Sequence, residues 1–232
     1  AVFYGDDIVF DHNVMEGPTF FIGIVSNGKR HNITNNIFRN VRDVERLFNV
    51  AASDSVWRGN EIYDFTYSGT SAVHPDIWQT IPDGSLAQNN VLENNYIHDT
   101  SEVQLGCAET NSTGTNVSNW LFRNNVFANT GTFYIAGRDF KFHNNTFYRA
   151  GFSNQAAVFV YKDFTGDGSG ADFRNNIFLQ EKNVGTFGPA AGSPTISSDY
   201  NFVANTDFSA RSGSEAHGIR GGDPQFLSTS LN

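Results

Sequence analysis

One asparagine recurs down this chain in a constant frame. Aligning "FDHNVM", "ITNNIF", "WRGNEI", "LENNYI", "FRNNVF", "FHNNTF", "FRNNIF" and "SDYNFV" places Asn13, Asn36, Asn60, Asn95, Asn125, Asn145, Asn176 and Asn201 in a single column. The intervals drift (23, 24, 35, 30, 20, 31 and 25 residues), but the surroundings do not. Three residues before the asparagine stand Phe10, Ile33, Trp57, Leu92, Phe122, Phe142 and Phe173. Two residues after it stand Met15, Phe38, Ile62, Ile97, Phe127, Phe147, Phe178 and Val203. The residue two before is polar in every copy, from Asp11 and Thr34 to Arg174 and Asp199. This is the period-two alternation of a short strand, then a corner, then a second short strand.

A unit this small cannot bury its apolar side alone, but stacked copies can, like residue over like residue. The repeat therefore predicts a solenoid of about eight coils, with apolar files running along its interior. A corner needs a residue that accepts positive φ, and asparagine does so better than other non-glycine residues. Its amide also donates and accepts, so stacked copies can form a ladder. The expectation is that the aligned asparagine performs both jobs. The frame runs through the whole chain, which reads as a single domain, 1–232.

Composition agrees. The 232 residues include 22 Phe and 22 Gly, and no long window carries an amphipathic helical pattern. "VRDVERLFNV" (41–50) comes closest to a helix. The chain reads as all-β. A net charge of −9, with lysine only at positions 29, 141, 162 and 182, argues against nucleic acid as a partner. No apolar run is long enough to insert in a membrane. The one cysteine, Cys107, rules out an internal disulfide and a multi-cysteine metal site, and reads as a small core residue.

The "NN-x-F" corners at a drifting period resemble right-handed parallel β-helix proteins of the pectate-lyase-like superfamily. The late "GGDPQF" (221–226) is similar to the "DP-x-F" ending of their relatives. The resemblance implies a right-handed parallel β-helix and extracellular work on polysaccharides, at a cell or virion surface. The segment 213–232 is expected to cap the open C-terminal edge. "AVFYGDDIVF" at the other end shows no such cap, which suggests a preceding domain or partner chain.

Extra residues in a solenoid go to loops on its binding face. The longest interval, Asn60 to Asn95, contains "HPDIWQ". With Val73, Pro75 and Ile77 inward, His74, Asp76 and Trp78 would face outward, an aromatic plate beside polar groups as sugar binding requires. Outward-facing strands of β-helix relatives carry stretches similar to His-x-Asp-x-x-Gln, which Gln79 completes. In the next coil Val103, Leu105 and Cys107 would point inward and Gln104 outward, with Glu109 following. Tyr134, Arg138 and Lys162 would extend the strip. Asp76, Glu109 and Arg138 are the candidate catalytic groups, since hydrolases need two carboxylates and lyases a base and a cation. His74, Trp78, Gln79, Gln104, Tyr134 and Lys162 are the candidate substrate contacts. "KDFTGDGSGAD" offers Asp163 and Asp167 as possible calcium ligands, with the terminal bidentate glutamate of an EF-type loop lacking. Three functions stay open: a carbohydrate-binding module, a polysaccharide lyase or glycoside hydrolase, and a structural adhesin or tail-fibre stalk.

Overall fold

The computed structural model describes residues 2–18, 22–67, 75–80, 85–100, 103–110, 116–151, 157–160, 168–179, 187–189, 196–204, 215–222 and 224. Every regular element among them is a strand, and every strand pairing is parallel. The strands form three long sheets. The first runs from Val2–Tyr4 through Ile22–Lys29, Arg46–Ser53, Asp76–Thr80, Gln104–Ala108 and Phe133–Ile135 to Val158–Val160 and Phe187–Pro189. The second begins at Val9–Asp11 and Asn32–Thr34 and ends at Ile196–Asp199. The third begins at Val14–Pro18 and Ile37–Arg42 and ends at Phe202–Ala204 and Ile219–Arg220. The chain visits the sheets in turn and returns one strand further along each time. Parallel crossovers are right-handed in nearly all proteins, and the architecture is a right-handed parallel β-helix.

The two apolar columns lie in register as the inner files. Phe10, Ile33, Trp57, Leu92, Phe122, Phe142 and Phe173 align on the second sheet. Phe122, Phe142 and Phe173 stack at 4.6 and 5.0 Å between ring centroids. On the third sheet Phe127, Phe147 and Phe178 stack at 4.9 and 4.8 Å. All six are buried. Stacked rings one strand spacing apart gain contact energy beyond the area they remove from water.

The corner between these sheets assigns the paired asparagines separate jobs. The aligned residue makes the ladder: Asn125 accepts from the backbone N–H and Nδ2 of Asn95 at 3.0 and 2.9 Å and donates from its own Nδ2 to Asn145 Oδ1 at 3.0 Å. The same hand-over runs from Asn13 through Asn36, Asn60, Asn95, Asn125, Asn145 and Asn176 to Asn201. Positive φ belongs to the residue before it. His12, Asn35, Gly59, Asn94, Asn124, Asn144, Asn175 and Tyr200 lie between +53° and +63°. The expectation that one residue both bends and bonds is corrected here: the first of the pair turns the chain and the second, now inside, is free to bond along the rod. The last rung has a different acceptor. Asn201 Nδ2 donates to Glu215 Oε1 at 2.8 Å and its backbone N–H to Oε2 at 3.2 Å, so one carboxylate receives both donors.

A second left-handed column (Asp7, Arg30, Asp54, Asn89, Asn119, Asp139 and Gly170) turns the chain from the first sheet into the second. The helix-like stretch 41–50 is a corner: it ends the strand Ile37–Arg42, turns at Asp43 with φ +52° and opens the strand Arg46–Ser53. Its apolar residues fall on both faces of a strand that is buried on both sides, which mimics a helical pattern.

Candidate functional site

The first sheet carries the strand that the sequence singles out, in the opposite register to the one expected. Trp78 does not face solvent. It is 2% exposed, aligns with Phe48 and stacks on it at 5.7 Å, and Phe48 meets Phe38 of the third sheet edge-on at 5.1 Å. The next strand makes room with a glycine. Gly106 aligns with both Trp78 and Phe133, and a Cβ there would lie 2.3 Å from Phe133 Cε2. Aromatic size alternates with a gap, and that packing sets the register. Trp78, Gly106 and Phe133 therefore point inward. Ile77 is not their inward neighbour as expected, and neither are Leu105 and Cys107; by alternation these three lie on the opposite face.

That opposite face is closed rather than open. Gln79 aligns with Asn49 and Cys107, and Cys107 with Tyr134, giving one column across four strands. Asn49, Gln79 and Cys107 are buried, as are Leu47, Ile77 and Leu105. Asp76, expected on an exposed strip, is wholly buried, between Arg46 and Gln104 in a register column that by alternation shares the inward side of Phe48, Trp78 and Gly106. Glu45, Glu109, Tyr134 and Arg138 along this sheet are half-buried.

The hydrogen bonding along this sheet is incomplete. Glu45 Oε2, Asn49 Oδ1, Gln79 Oε1, Gln104 Oε1 and Thr110 Oγ1 are buried and find no partner among the described residues, and neither does Arg46 Nε. Arg46 Nη2 is taken by Glu45 Oε1 at 2.6 Å. Buried polar atoms are nearly always paired in folded proteins, and leaving one unpaired costs about 1–3 kcal/mol. Unpaired buried side-chain atoms also occur on Trp57, Trp78, Thr100 and Thr130, but Asn49 Oδ1 and Gln79 Oε1 lie next to each other in one column of the outer face.

The candidate catalytic groups are not brought together. Asp76 aligns with Gln104, and Glu109 lies five residues further along that strand direction. At about 3.3 Å per residue their backbone positions are offset by roughly 16 Å along the sheet, and Asp76 is wholly buried while Glu109 is half-buried. The Glu109 carbonyl is anchored by the Thr80 hydroxyl at 2.7 Å. Arg138 belongs to the next corner, where it bridges Ser118 and its N–H reaches the Val117 carbonyl at 3.2 Å. His74, Lys162, Asp163 and Asp167 lie outside the described residues.

Glu45, Arg46 and Asn49 are the residues that sequence reasoning missed. They sit in the stretch that most resembles a helix, one coil before "HPDIWQ". Their signal is a charged pair and an amide inside an otherwise apolar strand, "ERLFNVAA" (45–52). A second polar cluster was also missed, on the outer side of the third sheet. His98 stacks against Tyr63 at 4.9 Å and Tyr96 at 4.1 Å, with Glu61 and Asp99 oxygens 3.2 and 3.0 Å from its ring nitrogens. Both nitrogens of that ring have partners, so the cluster is complete without a ligand.

No protein-family model and no curated protein matches the chain. Among solved structures, two mutants of the tailspike protein of E. coli bacteriophage HK620, each in complex with a pentasaccharide, are similar at 13% and 12% identity, with TM-scores of 0.41 and 0.37. The alignments cover 94% and 86% of this chain and 48% of each tailspike chain, so the chain spans about half the tailspike length. QnrB1, a plasmid-mediated fluoroquinolone resistance protein, is similar at 10% identity and a TM-score of 0.31, over 94% of this chain and 91% of that one. Likeness at this level adds nothing to what the strand pairing itself shows.

Proposed function

We propose that the chain recognises a polysaccharide along the outer face of its first sheet, outside the cell or on a cell or virion surface. One observation carries the reading: open hydrogen-bonding atoms on Asn49 and Gln79 stand side by side on two adjacent strands of one face. Strands in a sheet lie about 4.8 Å apart, so these groups form a polar row running along the rod. A ligand that is itself a row of hydroxyl groups is the natural complement of such a row. The half-buried Tyr134 stands in the same column beyond Cys107 and brings an aromatic ring to this face. The inert stalk reading is disfavoured by the same atoms, because a spacer has no reason to keep buried acceptors unpaired.

Titration calorimetry against a panel of neutral and acidic polysaccharides tests the reading. A saturable heat that is lost in Asn49→Leu is the expected result. Absence of binding to every member of the panel by the folded wild-type chain would refute it.

A further inference from the structure

The two ends of the asparagine ladder are finished differently. At the C-terminal end Asn201 gives its backbone N–H and Nδ2 to the Glu215 carboxylate, which stands in for a further rung. In every rung after the first, the asparagine Oδ1 receives two donors from the rung before, as Asn36 does from Asn13 at 2.9 and 3.1 Å. Asn13 Oδ1 receives none among the described residues. Its Nδ2 differs too. Later rungs reach back to a carbonyl of the preceding coil, Asn36 to Phe10 and Asn60 to Ile33, but Asn13 turns onto the carbonyl of its own Asp11 at 2.9 Å.

The rest of the first coil is open in the same direction. Val2–Tyr4, Val9–Asp11 and Val14–Pro18 are the outermost strands of their sheets. Phe10 and Met15 head the two inner files and are only partly buried, whereas Ile33 and Phe38, next in those files, are fully buried. Tyr4, Val9 and Val14 are exposed. The charge of this edge is of one sign: residues 2–18 include Asp6, Asp7, Asp11 and Glu16 and neither lysine nor arginine. Asp11 heads the outward column of the second sheet. Further along that column Glu93 has an arginine on each neighbouring strand, Arg58 and Arg123, but Asp11 has a neighbouring strand on one side only.

We infer that this edge docks a strand–corner–strand segment of a partner chain, laid parallel, with apolar residues over Phe10 and Met15, a basic residue beside Asp11 and an asparagine donating to Asn13 Oδ1. Adding a strand to an open edge is a recurrent mode of recognition, in which backbone bonds give affinity and side chains choose the partner. A second copy of the chain is a poor occupant. Head to head, it would set the four carboxylates of one edge against those of the other and acceptor against acceptor at Asn13. Head to tail, it would bring an end whose ladder donors Glu215 already holds.

The chain's own motif "LFRNNVFA" (121–128) has the required pattern and serves as a synthetic probe. Met15 is the one methionine of the chain, so its labelled methyl group is a single NMR signal at the open end. Adding the peptide to the full chain should shift that signal saturably, with the amide shifts confined to the first coil. Peptides carrying Arg123→Glu or Asn125→Ala should each bind at least about fivefold more weakly. In the chain itself, Asp11→Lys should reverse the order of the arginine and glutamate peptides. Joining the peptide upstream of the chain through a flexible linker raises its effective concentration to about millimolar. If the Met15 signal is unmoved even then, the edge docks no such segment. Equal affinity of the three peptides, or shifts centred outside the first coil, would also overturn the inference. So would a Met15 signal that moves with protein concentration alone in a chain that sediments as a dimer, since a second copy would then be the occupant.

Discussion

The division of labour within each asparagine pair makes adjacent positions respond in opposite ways. Asn125 is buried, and its side chain joins four hydrogen bonds: two received from Asn95 at 3.0 and 2.9 Å, one given to the Leu92 carbonyl at 2.8 Å and one to Asn145 Oδ1 at 3.0 Å. Asn125→Ala orphans the backbone N–H of Asn95 in the interior. A net hydrogen bond is worth about 0.5–1.5 kcal/mol and an unpaired buried donor costs about 1–3, so the loss should reach roughly 3–5 kcal/mol. Asn124 is exposed and sits at φ +55°. Asn124→Gly removes the side chain where a Cβ is already disfavoured, and should change stability by no more than about 0.5 kcal/mol. Asn124→Val forces a β-branched residue into the left-handed region and should cost about 2 kcal/mol. Urea unfolding followed by circular dichroism reads all three as shifts in midpoint at constant slope. If Asn124→Gly proved as damaging as Asn125→Ala, the two jobs would not be divided as the bonding and dihedrals indicate.

Three further outcomes follow from the packing and the charges. Trp78→Ala should destabilise the fold by about 3–5 kcal/mol, as the loss of a buried indole does, whereas an exposed sugar-stacking tryptophan would leave the melting midpoint nearly unmoved. Gly106→Ala should lower the midpoint as well, because its methyl group would collide with Phe133; a neutral result would mean that the inward register is wrong. Glu93 is buried and lies between two guanidiniums, Arg58 on one oxygen and Arg123 at 2.5 Å on the other. Burial pushes its carboxyl up, and the two arginines more than offset this, so the group ends below its ordinary 4.5. A carboxyl lowered in the folded state contributes stability that is fully present above pH 4.5 and is lost as pH falls through the folded value. Glu93→Gln should therefore flatten the acid limb of the stability profile, and an unchanged limb would remove Glu93 from the cause.

The second and third sheets were legible because each alternation there had one solution. At Phe122 and Arg123, or Phe142 and His143, one neighbour is apolar and the other charged, and only one register buries the first without the second. The first sheet offers no such contrast. Ile77 and Trp78 are both buried, and a strand covered on two sides satisfies the hydrophobic pattern equally well in either register. The tie is broken across strands rather than along one: Phe48, Trp78, Gly106 and Phe133 fit together only as an inward column, a relation between residues 85 positions apart in sequence. The same ambiguity hid the site. A polar residue on a doubly buried strand looks, in sequence, like an ordinary solvated position, so Asn49 and Gln79 stand out only once their burial is known. The long interval at "HPDIWQ" pointed to the first sheet, where Asn49 and Gln79 keep open atoms. It pointed to the wrong residue within it. The indole is core, and the open amide oxygens of the strand pair lie on the opposite face, at Asn49 and Gln79.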